Sequence, residues 1–439
     1  MPEAAKKTIC IIGNDPFNDD YIKRIPEAQG WNVVTVLHHD DVQPADESID
    51  FDALYDRAHA QIAAMDSPPD AIIGHLDFPV TSLVALLNRD FGLKGASPEA
   101  VARCEHKFWM REAQREVFPD DTPAVTAVNP FKPAEAQEAV PEYPFWLKPV
   151  KGHSSKLGFL VRDADDLDSA LHECRRFIHQ HGEPFNRFLA RLEPDSGCPE
   201  GVNGNFAVAE ELVSANRLFT IEGLVENGET RVVGAVESLK GGGAGVSFSR
   251  YQYPSDIPDE IVEKGRVFVA KLLDHFGFDN GPFNVEFFYD DDTGALRLLE
   301  INPRLSKSHS PLFHIVDGAT HHRQAILLAL GEEVEMPARG GHSPVAAKFM
   351  IRSNEEDGIV RGVPDPEQLE ELKDLFPDLA AQILVQPGQR LSDLPDQDSY
   401  TYELADLFIG GADLSAIEDA YLRCRHSLEF LIKPIPENL

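Results

Sequence analysis

At 439 residues the chain is long enough for two or three domains with buried cores, so neither a disulfide nor a structural metal is needed to hold it together. The 40 Lys+Arg against 74 Asp+Glu leave a net charge of -34, which argues against general affinity for nucleic acid or an anionic membrane, both of them polyanions. Any phosphate site in such a protein has to be built locally. The 5 cysteines (Cys10, Cys104, Cys174, Cys198, Cys424) are scattered without CxxC or Cys/His spacing and read as reduced thiols of a cytoplasmic protein. No apolar run approaches the roughly 20 residues of a membrane span, and the apolar stretch in MPEAAKKTICIIG is too short for a signal peptide.

In chain order, TICIIG, a helical stretch, WNVVTVLHH and later DAIIGHLD have the strand, helix, strand spacing of an open α/β domain. The first turn, GNDPF, lacks the GxGxxG that lets a backbone approach a pyrophosphate, so a dinucleotide site is poorly supported. LKGASPEA marks the end of this unit, and from Glu99 a helix carries Lys107 and Arg111. PFWLKPV reads as a strand that enters the loop KGHSSKLG and returns as FLVRD. FAVAEELV, LFTIEGLVENG and ETRVVGAVESL read as consecutive strands, the last two joined at Asn227-Gly228, a favoured tight-turn dipeptide. After the glycine-rich LKGGGAG comes an amphipathic helix ending at Gly277, then two strands around a turn in GPFNVEFFYDDDTGALRLLEINPRL. Past residue 340 short strands and a helix from Leu414 to about Ile432 suggest a C-terminal unit. The expected division is 1–98, 99–338 and 339–439.

Chemistry concentrates in Asn284-Val-Glu286 and Glu300-Ile-Asn302-Pro-Arg304. Side chains alternate along a strand, so Asn284 and Glu286 share one face, and Glu300, Asn302 and Arg304 share another. Pairing the strands symmetrically about Thr293 sets Glu286 opposite Glu300. Two facing carboxylates repel, and a bound cation removes that cost. Mg²⁺ suits the pair because it prefers oxygen and is commonly held by one or two carboxylates together with substrate phosphates; Asn302 adds a neutral oxygen and Arg304 a planar fork for an anion. The plain alternative is that these acids only solvate an exposed hairpin.

The cations lie elsewhere. Lys148 ends an apolar strand just before a loop holding Lys151, Ser154, Ser155 and Lys156, whose Gly and Ser residues expose N–H and hydroxyl groups to an anion. It is no P-loop, since GxxxxGK[ST] is absent. Lys107 and Lys240 taken singly read as surface lysines. Their interest is collective, because a polyanionic substrate in an acidic protein demands such a concentration of positive charge.

Over roughly residues 99–331 the order of these motifs resembles the ATP-grasp superfamily. His106-Lys107-Phe-Trp-Met-Arg111 looks like its lysine-bearing helix, and Trp146-Leu-Lys148-Pro like its strand before the flexible loop. Glu210-Glu211-Leu212-Val213 looks like the hinge that holds adenine. The resemblance implies an α/β fold: an N-terminal open α/β domain, an ATP-grasp fold of two α+β lobes, and a small C-terminal α+β domain. It implies ATP on Lys107, Lys148, Lys151, Ser154, Ser155, Glu210, Glu211 and Val213. It implies Mg²⁺, with Mn²⁺ as a substitute, on Glu286, Glu300 and Asn302, and catalysis by Arg304 and Lys240. The family's ribose-binding acid after the hinge falls on Leu218 here, which makes Glu222, on the same face of that strand, the candidate substitute. The family's glycines after the Asn-Pro-Arg run are replaced by Ser306-Lys307-Ser308-His309, on the acceptor side.

The implied reaction joins a small-molecule carboxylate to an amine, amino acids foremost, through an acyl phosphate. No nucleic-acid or membrane partner is expected, and a homodimer is an open expectation. Two alternatives stand beside it: a bicarbonate-activating carboxylase or carbamoyl-phosphate-type enzyme, and a non-catalytic nucleotide-binding protein.

Overall fold

The apolar opening of the chain forms the central strand of a small parallel sheet. β1 (Lys7–Asn14) lies between β2 (Trp31–His38) and β3 (Ala71–Gly74). Cys10 and Ile12 enter one core and Ile9 and Ile11 another, as a strand covered on both faces requires. The computed structural model describes residues 6–44, 49–152, 157–241, 247–353, 357–394 and 401–435. Among them, no helix is long and apolar enough to cross a membrane.

A second, antiparallel sheet contains β4 (Val125–Val128), β5 (Phe145–Pro149), β6 (Phe159–Val161) and β7 (Ala207–Glu211) in the order β4-β7-β5-β6. Its apolar face, including Phe145 and Leu147, packs on Leu167 and Leu171 of the helix Ala164–Phe177. The opposite face of the sheet carries Lys148 of β5 and Glu210 of β7 as diagonal neighbours.

The remaining strands are β8 (Arg217–Glu226), β9 (Glu229–Gly241), β10 (Ser247–Tyr253), β11 (Gly281–Tyr289), β12 (Leu296–Asn302), β13 (Val345–Ser353), β14 (Gly358–Gly362), β15 (Ala380–Ile383), β16 (Tyr402–Gly411) and β17 (Leu431–Pro434). Eight of them form one sheet, β12-β11-β8-β9-β10-β13-β16-β15, and β14 pairs with β17. β8 and β9 join at Asn227-Gly228, where both residues have positive φ (52° and 79°), the backbone an I′ turn demands. The helix Asp259–Phe276 ends on Gly277 at φ 67° and lays Phe268 against Phe287 of β11, ring centroids 5.7 Å apart.

Three expectations change. The helix expected from Glu99 is two helices, Pro98–Glu105 and Lys107–Val117, broken at His106, whose extended backbone (φ -83°, ψ 94°) and ring nitrogen cap the second one. The C-terminal unit does not stand apart as a sheet, because β13 pairs directly with β10 and carries the eight-stranded sheet across residue 339. The last helix stops at Ser427, and Leu431–Pro434 become strand β17 along β14. Leu428 leaves helical geometry there and buries its side chain.

Candidate active site

The acidic hairpin pairs as its symmetry suggests near the site and slips beyond it. Asn284 lies opposite Asn302 and Glu286 opposite Glu300, but Phe287 faces Leu298, so Leu299 is the extra residue of a bulge. The bulge has two effects. It shifts the alternation so that Leu298 and Ile301 both turn into the core while Glu300 and Asn302 share the polar face. It also frees the Leu299 carbonyl, which accepts from Arg111 Nη2 at 3.0 Å.

Arg111 is almost fully buried and its Nε donates to Glu210 Oε1 at 2.9 Å; Lys148 Nζ meets Glu210 Oε2 at 2.7 Å. Burial pushes the Glu210 carboxyl up, but Arg111 and Lys148 outweigh it and hold the group down at about 2. Burial lowers the pKa of Lys148, against the pull of Glu210. The restart of the helix at His106 places Lys107 at its first turn. The Lys107 backbone N–H donates to Val150 O at 3.1 Å, and its Nζ donates to Gly152 O at 3.0 Å and lies 3.2 Å from Glu300 Oε2. Thus two strands of one sheet, a helix start and the hairpin of another sheet converge on one charged cluster.

The N-terminal sheet adds a residue that the sequence reading did not single out. Asp77, just past β3, lies 3.3 Å from both Lys151 Nζ and Arg304 Nη2. Lys151 also stands 3.6 Å from Glu105, which accepts from Ser82 at 3.3 Å and from Thr81. The available signal was the acid closing GHLD after an apolar run, since the carboxyl ends of parallel strands are where α/β folds place ligands. Lys348 of β13 was missed too: it reaches Asp406 at 2.8 Å and Ser308 Oγ at 3.4 Å, from a part of the chain read as a separate unit.

Glu222 does not fit the ribose role expected of it. It is wholly buried, with Oε1 accepting from Asn284 Nδ2 at 2.5 Å and from His309 Nδ1 at 2.6 Å, and with His321 Nδ1 3.5 Å from Oε2. Burial raises its pKa, and the His309 bond, His321 and Asn284 more than reverse this. Glu211 is exposed and accepts from Ala124 N at 3.2 Å, and Val213 is half-buried just past β7. Lys240 is exposed at the end of β9, its ammonium 5.9 Å from the Phe248 ring, and none of the ion pairs among the described residues includes it. Ser154, Ser155 and Lys156 lie outside the described residues, as do residues 242–246 of the glycine-rich loop.

The donor set fits a hard divalent cation. Burial first, and then the facing Glu300, push the Glu286 carboxyl up to about 7, the strain that a cation between them relieves. Asn302 donates through Nδ2 to Asn284 Oδ1 at 3.0 Å and to Glu286 Oε1 at 3.1 Å, which leaves its Oδ1 as the free ligand atom. Among the described residues no three His, Cys, Asp or Glu side chains form a metal cage. Two carboxylates and an amide oxygen suit Mg²⁺ completed by substrate phosphates.

The family model described as the ATP-grasp domain matches residues 141–311. This chain carries an ATP-grasp domain. The matched stretch of the ATP-grasp domain runs from β5 to the start of the helix Ser310–Asp317 and includes the hairpin, Lys148 and Glu210. Among solved structures, an L-amino acid ligase from Bacillus licheniformis is 18% identical with a TM-score of 0.73, and the match covers 98% of this chain and 100% of that one. A phosphoribosylglycinamide synthetase from Anaerococcus prevotii is 14% identical at TM-score 0.62, covering 98% and 100%. A biotin carboxylase from Campylobacter jejuni, in complex with beta-gamma-ATP, is 13% identical at 0.61, covering 97% and 92%. These likenesses show an overall fold shared along nearly the whole chain. No curated protein sequence matches it.

Proposed function

We propose that the chain is an ATP-dependent carboxylate–amine ligase that forms an amide through an acyl phosphate and releases ADP and phosphate. The observation that carries this reading is the convergence of Lys107, Lys148, Glu286, Glu300 and Arg304 from separate elements onto one cluster. A protein that merely binds nucleotide has no need of facing metal carboxylates backed by an arginine. The choice of an amide-forming reaction leans on the L-amino acid ligase, whose TM-score of 0.73 stands above the 0.62 and 0.61 of the other two. Amino acids are the proposed substrates and the cytoplasm the proposed location.

In this reading adenine lies along the hinge at Glu210, Glu211 and Val213, and Lys107 and Lys148 hold phosphate oxygens. Glu286, Glu300 and Asn302 would hold Mg²⁺, which would supply charge neutralisation at the phosphates. The substrate carboxylate attacks the γ-phosphorus in line and ADP leaves. Arg304, now on Asp77, turns to the acyl phosphate and stabilises the oxyanion as the amine adds and phosphate departs.

The test is release of ADP and phosphate from Mg·ATP with a panel of amino acids, singly and in pairs, followed by mass spectrometry of the product. An amide product is expected. Turnover that depends on bicarbonate rather than on amino acids would overturn the reading. Glu300→Ala is expected to lower turnover at least a hundredfold with an unchanged circular dichroism spectrum, and normal turnover would remove the metal assignment.

A further inference from the structure

Three strands place Glu222, Asn284 and Asn302 directly opposite one another, in one row across β8, β11 and β12. Thr220, Glu286 and Glu300 form the next row on the same face. Between neighbouring strands about 4.8 Å apart, such a row lets each side chain touch the next. The first row is a directed chain of hydrogen bonds. Asn284 Nδ2 donates to Glu222 at 2.5 Å, Asn302 Nδ2 donates to Asn284 Oδ1 at 3.0 Å, and the same Nδ2 donates to Glu286 at 3.1 Å.

Direction matters because an amide has a donor end and an acceptor end, and only the acceptor end holds a cation. An ionised carboxylate accepts and never donates, so Glu222 forces the NH₂ of Asn284 toward itself. Asn284 then shows Oδ1 to Asn302, which must answer with NH₂, and this leaves Asn302 Oδ1 as the atom available to a cation. His309 and His321 complete the anchor from the other side.

We propose that Glu222 is a positioning residue for the metal centre, acting at two removes by fixing the hydrogen-bond polarity that presents Asn302 Oδ1 to Mg²⁺. This rests on the metal assignment of the proposed function. It gives a buried acid without access to substrate a defined task. Without the anchor, Asn284 loses the acceptor that orients it, and the Glu286 contact alone holds the Asn302 amide in this orientation.

The test is Mn²⁺ affinity, measured by electron paramagnetic resonance on the full chain with ADP present, together with the thermal midpoint of each variant. Glu222→Met, similar in size but with no accepting oxygen, is expected to weaken Mn²⁺ binding at least tenfold. Glu222→Gln, which can still accept from Asn284 and His309 through its oxygen, is expected to stay within about threefold of the parent. If Glu222→Met does not fold, Asn284→Ala breaks the same chain one step later and carries the same expected loss. Parental Mn²⁺ affinity in a folded Glu222→Met or Asn284→Ala protein would overturn the proposal, as would an equal loss in Glu222→Gln. Glu300→Ala serves as the control. If it too leaves Mn²⁺ binding intact, the metal assignment itself is wrong; if it alone abolishes binding, only the polarity relay fails.

Discussion

Glu210 is an acid that burial alone would neutralise and that two cations keep charged. Its displacement from the ordinary 4.5 to about 2 corresponds to on the order of 3 kcal/mol between folded and unfolded states. Because the folded value is the lower one, this stability is fully present above pH 4.5 and is lost as pH falls toward 2. Urea unfolding measured from pH 6 to pH 2.5 is expected to show it. Glu210→Gln should be less stable at pH 6, having left Arg111 and Lys148 unpaired, and should lose less stability than the parent across the acid range. Equal slopes for both proteins would show that Glu210 is not held by these cations.

Among elements, the break at His106 matters most for the site. An uninterrupted helix from residue 98 to 117 would not set the Lys107 N–H on the Val150 carbonyl or turn its side chain to Glu300 and Gly152. His106 makes the break stable by capping Trp109 N at 3.2 Å through Nδ1 and donating from Nε2 to Val202 O at 2.9 Å. His106→Ala is expected to cost about 1 to 2 kcal/mol of stability, as lost N-caps do. It is also expected to raise the KM for ATP several-fold while changing kcat less. A thermal melt and initial-rate kinetics check both, and an unchanged KM would separate the cap from the site. The Leu299 bulge is the second local device, since it lets the same strand bury Leu298 and Ile301 and still aim Glu300 and Asn302 at the cluster.

Across the whole molecule, the long sheet ties the C-terminal residues to the site. β10 pairs with β13, and Val236, Tyr253 and Phe313 share one core with Ala346 and Phe408. A chain ending at residue 338 would leave β10 as an open edge and strip that core of its far side. We expect such a truncated chain to be insoluble or to melt well below the full chain, measured by soluble yield and circular dichroism. A soluble, cooperatively folded product would show the sheet to be divisible at β10.

Most elements and the chemical types of the site are legible along the chain, whereas the break at His106, strand β17 and the Leu299 bulge are not. Period-two alternation, the Asn227-Gly228 turn and the apolar-backed carboxylates at Glu286 and Glu300 are local patterns, and local patterns are carried by neighbouring residues. Which charges meet follows from packing. That Asp77 faces Arg304 and Lys151, that Glu222 bonds Asn284 and His309, and that Lys348 reaches Ser308 from beyond residue 339 depend on contacts between elements distant in sequence. Burial and pairing partners are properties of the packed molecule, and no pattern along the chain encodes them separately from the fold.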